Sequence, residues 1–402
     1  MNYSEVKNKI EAAISQLKMG NLIVVTDDQN RENEADLVGA ASCVTYDSLN
    51  FIIKEARGLM CAPISSEIAS RLSLSQMVSK NSDLHQTAFT VSVDADKVTT
   101  TGISVSDRLA TLRALASSLS KPTDFKRPGH IFPLTANDGG LFTRRGHTEA
   151  TIELLKIASL PLAGVICEII DDDGKMRVGD SLSSFCDRNK LVSLSVEEIV
   201  YYLKMQPDFV TEVVQTTLPT KYGTFNMVGF SNKADSESHF ALYMGDVANA
   251  DAPIVRIHSE CLTGDTLGSL RCDCGDQLHH AMQTIAKNGV GIIVYLRQEG
   301  RGIGLFNKLK AYQLQDKGTN TIDANLALGF EADLRDYSVG AAILRNLGVK
   351  AARVLTNNPD KIEALKMYGI EVVERLECYG STSCHNKVYL DTKRELMGHY
   401  LK

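Results

Sequence analysis

Near its midpoint the chain changes character, and that change limits every fold open to it. The run Ser195-Val-Glu-Glu-Ile-Val-Tyr-Tyr-Leu203 reads as a closing helix, with Ser195 as N-cap and Glu198 three residues on. Between Tyr202 and Lys221 comes a polar connector holding Pro207 and Pro219, after which Tyr222-Gly-Thr-Phe-Asn-Met-Val-Gly-Phe230 alternates as an opening strand. With 402 residues the chain is too long for one ordinary core. The break therefore separates two domains, 1–205 and 206–402.

Both halves read as mixed α and β. In the first, Asn21-Leu-Ile-Val-Val-Thr26 is a strand running into an acidic loop. Thr148 is placed to cap a helix through Leu160, and Pro161 to Ile170 forms a buried strand. In the second, Gly291-Ile-Ile-Val-Tyr-Leu296 is a strand. Val339 to Leu347 is a helix stopped by Gly348, and Arg353 to Thr356 is a strand. Asn358-Pro359 opens a helix ending near Gly369, and Ile370 to Glu374 is a further strand. The expected fold class is α/β mixed: an α+β first domain, and an α/β second domain with a helix-covered mixed sheet.

The net charge of −6 argues against a general nucleic-acid surface, which would be basic, but leaves room for small anionic ligands in a local basic pocket. Nine cysteines without disulfide-like spacing suit a reducing cytoplasm. The first residues carry no apolar signal core, and the apolar stretch near Leu160 to Ile170 falls short of the roughly 18–20 residues a membrane span needs.

Three cysteines carry the sharpest chemical signal. Cys261, Cys272 and Cys274 lie within fourteen residues. A structural zinc site takes four protein ligands, whereas a catalytic one takes three and leaves a place for water, whose pKa it lowers to about 7. No fourth cysteine is near, and the first is flanked by the polar Arg256, His258 and Glu260. An open zinc site suited to hydrolysis fits. A structural knuckle completed by His258, or three buried cysteines without metal, fits the same spacing.

The acidic loop of the first half places Asp27, Asp28, Glu32, Glu34 and Asp36 within ten residues. Left unpaired they repel, so a divalent cation or basic partners should sit among them, with oxygen ligands suiting magnesium or manganese. A solvated acidic loop is the plainer alternative. Farther on, His130 and His147 each follow a glycine. His147 stands beside Arg144, Arg145 and Thr148 at the expected helix N-terminus, a combination that binds phosphate well.

Five motifs in order make the first half resemble 3,4-dihydroxy-2-butanone-4-phosphate synthase. They are Arg31-Glu-Asn-Glu-Ala-Asp36, Thr100-Thr-Gly-Ile-Ser104 with Asp107-Arg108, Arg127-Pro-Gly-His130, Arg145-Gly-His147-Thr-Glu-Ala-Thr151 and Gly164-Val-Ile-Cys-Glu168. The resemblance implies conversion of D-ribulose 5-phosphate to a four-carbon dihydroxybutanone phosphate and formate. It implies Glu32 and His147 as ligands of magnesium or manganese, and His130 and Glu168 as proton-transfer residues. Arg31, Glu32, Asp36, Arg144, Arg145, Gly146, His147, Thr148 and Glu168 are implied as substrate contacts. The family loop is usually more acidic where Gln29 and Asn30 stand, and a narrower reading keeps only the second half active.

The second half resembles GTP cyclohydrolase II. The matching segments are Arg256-Ile-His-Ser-Glu-Cys261, Cys272-Asp-Cys274-Gly-Asp-Gln277, Arg297-Gln-Glu-Gly-Arg301, Asp333-Leu-Arg-Asp-Tyr337, Leu355-Thr-Asn-Asn358 and Asn386-Lys-Val-Tyr-Leu-Asp-Thr-Lys393. The resemblance implies one zinc on Cys261, Cys272 and Cys274, and GTP bound with magnesium. Its products would be a diaminopyrimidinone ribosyl phosphate, formate and pyrophosphate. It implies GTP contacts at Arg256, Ile257, His258, Ser259, Glu260, Gln277, Glu299, Gly300, Arg301, Thr321, Thr356 and Lys361. Asp333 is implied as general base. Arg335 matches a proposed nucleophile, although a guanidinium stabilises phosphoryl charge more readily than it attacks. Together the two halves imply a bifunctional enzyme of riboflavin biosynthesis, with GTP and D-ribulose 5-phosphate as its partners, and at least a homodimer. A zinc-knuckle nucleic-acid binder is the rival from another class, disfavoured by the acidic balance and the lack of basic–aromatic interleaving.

Overall fold

A computed structural model describes residues 1–400. The chain divides into two units, Met1–Leu203 and Lys204–Lys402, each built on its own seven-stranded sheet.

The first sheet contains β1 (Ile23–Thr26), β2 (Ala35–Ala40), β3 (Cys61–Ile64), β4 (Val93–Ala95), β5 (Phe125–Thr135), β6 (Gly164–Glu168) and β7 (Ser193–Ser195). Their order across the sheet is β4-β5-β3-β6-β2-β1-β7. The central strands are apolar runs buried on both faces, as β2 and β3 are at every position. The helix Tyr3–Lys18 buries Val6, Ile10, Ala13 and Leu17, a one-sided spacing of three and four residues. The helix His147–Ile157 packs on β3 and β6.

Register decides where the chemistry gathers. Asp36 pairs with Glu168 across β2 and β6, and β1 places Val25 opposite Asp36, so Asp27 emerges at the same end. Cys61 of β3 pairs with Phe132 in parallel and with Ile166 in antiparallel. His130 and Glu168, two residues from those partners in opposite senses, are thus level with one another. One end of the sheet collects Asp27, Asp36, Glu168 and His130.

The second sheet contains β8 (Val210–Thr220), β9 (Gly223–Asn232), β10 (His239–Met244), β11 (Ile254–Ser259), β12 (Gly291–Leu296), β13 (Ala351–Leu355) and β14 (Glu371–Leu376). Their order is β14-β13-β11-β12-β10-β9-β8, with the parallel strands at one side and the antiparallel ones at the other. The mixed α and β character expected of both halves holds in both sheets.

Two local expectations are corrected. The stretch read as a polar connector contains β8, eleven residues paired antiparallel with β9, so the strand after Tyr222 is the second of its sheet. Val210, Thr211, Val213, Val214, Thr216 and Thr217 have the β-branched side chains that strands favour, and Pro219 is tolerated because β8 is an edge. Thr148 does not cap its helix: Gly146 holds that position without a side-chain bond, and His147 is the first helical residue. The closing helix Val196–Met205 does start as read, since Ser195 Oγ accepts the Glu198 N–H at 3.1 Å and Glu198 accepts the Ser195 N–H at 2.9 Å.

Candidate active sites

The loop between β1 and β2 folds around Asp27. Its carboxylate accepts the backbone N–H of Glu32 at 3.2 Å and of Glu34 at 2.9 Å, and pairs with Arg31 at 2.8 Å. Arg31 also pairs with Glu32. These bonds turn a run of mutually repelling acids into a fixed cradle. One ligand atom from each of Asp27, Glu32 and His147 lies within 4.8 Å of the others. Glu32 and His147 are therefore together, as the resemblance implies, and Asp27 joins them. The signal for Asp27 was its place directly after the strand.

His147 Nε2 is buried without a hydrogen-bond partner among the described residues, and its Nδ1 lies 4.0 Å from Asp36. Burial pushes the imidazole pKa below its usual value, against the pull of Asp27. A neutral, buried, unpartnered imidazole nitrogen beside two carboxylates fits a divalent cation. Asp36 goes the other way: burial, then the charges of Glu168, Glu34 and Glu32, hold its pKa well above the ordinary carboxylate range. Glu168 Oε2 accepts the Leu59 N–H at 2.7 Å.

His130 sits on β5 with Nδ1 2.7 Å from Asp94 Oδ2, while its backbone N–H donates to Asp94 Oδ1 at 2.9 Å. The buried Asp94 fixes the ring from below, a role that the run Val93-Asp94-Ala95-Asp96 does not announce. The Thr100–Ser104 motif covers this pair. Asp107 accepts from Thr100 N and Oγ1 and from Gly102 N, and these bonds hold its pKa at about 2. Arg144 is drawn inward instead, bonded to the buried Glu149 at 2.7 Å and to Thr87 and the His85 carbonyl. Arg145 stays half exposed, 3.7 Å from Asp28. Thr148 is buried in the first turn.

In the second unit, Cys261 follows β11, and Cys272 and Cys274 enter the helix Cys274–Asn288. The three Sγ atoms lie within 4.8 Å of one another, with Cys261 and Cys272 at 3.6 Å. Cys261 is held toward its thiolate by bonds from the other two thiols, with the Lys308 charge adding to them. Gly264 is needed here, because a Cβ on it would fall 2.8 Å from Cys272 Sγ. His258 does not complete a four-ligand knuckle. Its Nε2 lies 3.0 Å from Asp265, which also accepts the Cys261 N–H and the Tyr295 hydroxyl. All three cysteines line a solvent-open cavity of about 120 Å³.

Eleven of the twelve residues expected around GTP line that cavity: Arg256, His258, Ser259, Glu260, Gln277, Glu299, Gly300, Arg301, Thr321, Thr356 and Lys361. Ile257 does not; its carbonyl accepts Lys361 Nζ at 2.8 Å from behind. Both terminal nitrogens of Arg301 are buried and unpartnered among the described residues. Its φ of +63° follows Gly300 at +63° and precedes Gly302 at +90°, a left-handed run that two glycines ease. Arg256 bridges to Gln277 at 2.6 Å, Gln277 to Asp273 at 2.5 Å, and Asp273 to Lys393 at 3.0 Å. Lys393, Tyr389 and His399 also line the cavity, beyond the GTP contacts read from the sequence.

Arg335 lines the cavity, but Asp333 does not; it grips Arg335 through Nε at 2.8 Å and through a second guanidinium nitrogen. Burial alone would raise the Asp333 pKa, yet the bonds and charge of Arg335 hold it below the ordinary value. Asp333 is a poor base in this arrangement, and the pair must open for it to accept a proton. Burial works to lower the Arg335 pKa, and Tyr337 and Asp333 outweigh it, so the guanidinium is held charged. That suits charge stabilisation and not attack.

Among the described residues, no helix is long and apolar enough to cross a membrane. The family model described as 3,4-dihydroxy-2-butanone 4-phosphate synthase matches residues 11–202, and that described as GTP cyclohydrolase II matches residues 211–377. The chain is 49% identical over 394 residues to riboflavin biosynthesis protein RibBA of Bacillus mycoides (strain KBAB4), covering 98% of this chain and 99% of that protein. The same identity and coverage relate it to the RibBA protein of Bacillus cytotoxicus. Among solved structures, RibBX, a two-domain 3,4-dihydroxy-2-butanone 4-phosphate synthase from A. baumannii, is similar with a TM-score of 0.67 and 31% identity. That match covers 91% of this chain and 99% of the other. The chain belongs to the family of riboflavin biosynthesis proteins that join a 3,4-dihydroxy-2-butanone 4-phosphate synthase to a GTP cyclohydrolase II.

Proposed function

We propose that the cavity of the second unit takes GTP and magnesium beside a zinc centre on Cys261, Cys272 and Cys274. We propose also that the carboxylate–imidazole site of the first takes D-ribulose 5-phosphate with magnesium or manganese on Glu32, His147 and Asp27. The observation that carries the reading is a cluster of three thiols facing a cavity whose wall holds Arg301, with both terminal guanidinium nitrogens buried and unpartnered among the described residues.

Zinc, when bound, supplies a Lewis acid that activates water at neutral pH. The chain's own residues do the rest. Arg256 and Arg301 offer positive charge to a triphosphate, while Lys361, whose pKa burial and then Arg256 and Arg335 push well below the usual lysine value, lines the cavity as a hydrogen-bond donor. Arg335, kept charged by Asp333, stabilises charge developing on a phosphoryl group. In the first unit, a divalent ion polarises the sugar carbonyl when bound. His130 exchanges protons through Nε2, because Asp94 holds Nδ1. Glu168 lies at the same sheet end as a second proton carrier, and Asp36, with its raised pKa, is available to donate.

The test is formate release from ribulose 5-phosphate by the purified chain with magnesium and no GTP. Formate abolished by EDTA is expected. Protein that converts GTP yet releases no formate from the pentose would remove the first-unit assignment.

Gly102 gives a second test. Its φ is +93°, and a Cβ there would fall 2.1 Å from Asp94 Oδ2 and 2.5 Å from His130 Nδ1. Gly102→Ala should displace the Asp94–His130 pair and lower pentose turnover by about tenfold or more. The left-handed backbone adds a cost of about 1–2 kcal/mol to first-unit stability. GTP turnover, followed in the same preparation, should not change.

A further inference from the structure

Lys308 lies on the helix Gly304–Gln315 and is 8% exposed. Its ammonium donates to Cys261 Sγ at 3.1 Å and to Glu299 Oε1 at 2.7 Å. One helical turn on, the ring of Tyr312 stands 5.8 Å from the same ammonium. The Tyr312 hydroxyl is 3.3 Å from Thr263 Oγ1, which in turn lies 3.6 Å from Cys261 Sγ. A cation withdrawn from water costs several kcal/mol unless it is paired. Here the pairing is divided between a carboxylate and a sulfur of the cysteine cluster.

Glu299 does not depend on this lysine. Its Oε2 accepts the Leu262 N–H at 2.6 Å and its Oε1 the Gly300 N–H at 2.9 Å. The sulfur of Cys261 is therefore the partner on which Lys308 acts. Three thiolates on one divalent ion carry a net negative charge, and each sulfur donates electron density that weakens the ion as a Lewis acid. A charge-assisted N–H···S bond withdraws some of that density.

We infer that Lys308 is a positioning residue of the cyclohydrolase centre, whose bond to Cys261 Sγ keeps the metal on the cysteine triad a strong Lewis acid. The inference rests on the triad being a metal site. Lys308 lines the same cavity, and the role inferred for it runs through the sulfur.

Cobalt(II) in place of zinc makes the sulfur visible, because the energy of the sulfur-to-cobalt charge-transfer band follows the donor strength of the thiolates. In the full-length chain, Lys308→Met should move that band to lower energy, since Cys261 becomes the richer donor. With zinc, kcat for GTP should fall about 10- to 100-fold, the usual range for loss of a bond to a metal ligand, with a much smaller change in KM. Lys308→Arg, which keeps the charge and the donor, should restore band and kcat together. Lys308→Gln, polar and uncharged, takes the place of the methionine variant if that one fails to fold. A charge-removing variant that binds one cobalt with an unshifted band overturns the role given to Lys308. Wild-type chain that takes up no cobalt overturns the metal site itself, so the two failures are told apart.

Discussion

Replacing Cys272 with serine is expected to end GTP turnover and leave ribulose 5-phosphate turnover intact. The side chain is buried, its sulfur is 3.6 Å from that of Cys261, and serine has nearly its shape. The substitution thus removes a soft ligand without opening a cavity. Two thiols are left, too few to hold zinc against solvent at neutral pH. Metal activation of water is worth several kcal/mol, so the loss should be about a thousandfold or more. Metal analysis and formate release from each substrate would be measured on the same preparation. GTP turnover that survives in zinc-free protein would sink the zinc assignment. Unchanged pentose turnover is expected because the two sheets share no strand, and it controls for the first unit and the preparation, while circular dichroism and thermal melting of the variant check the fold of the second.

The mirror experiment is His147→Ala. This side chain is 6% exposed, and its Nε2 has no partner among the described residues, so its removal breaks no hydrogen bond at that atom. The stability cost should stay near 2 kcal/mol or below. The functional cost should be far larger. Asp27 and Glu32 would remain, but both are partly neutralised by Arg31, and the imidazole is the one ligand there with no competing cation bonded to it. Magnesium-dependent formate release from the pentose should fall by more than about a hundredfold, with magnesium titrating at higher concentration. GTP turnover should not move. A variant that consumes ribulose 5-phosphate normally would take His147 out of the metal site.

What could be read in the sequence follows from how far each signal reaches. β12 and β6 are continuous apolar runs buried on both faces, and such runs announce themselves. β8 did not, since nearly all its side chains are exposed and no alternation marks a core face; Pro219 within it and Pro207 before it looked like punctuation. The cysteine cluster was legible because its ligands are close in sequence. Asp94 and Lys308 were not. Each becomes meaningful only when a distant segment returns, 36 residues on for His130 and 47 back for Cys261. Asp333 was legible as a site residue, while its commitment to Arg335 depends on burial that no motif encodes.

The ordering of β1, β2, β3, β5 and β6 across the first sheet also has a temporal meaning. Asp27 and His130 stand on opposite sides of a strand that the chain lays down only at Gly164–Glu168. A nascent chain that ends before β6 holds nearly every residue of the site and cannot yet assemble it. Such long-range closure is slow to form, and it makes the meeting of His130 with the Asp27 loop a late gain of folding. The order in which the strands are laid down thus separates having the residues of the site from having the site.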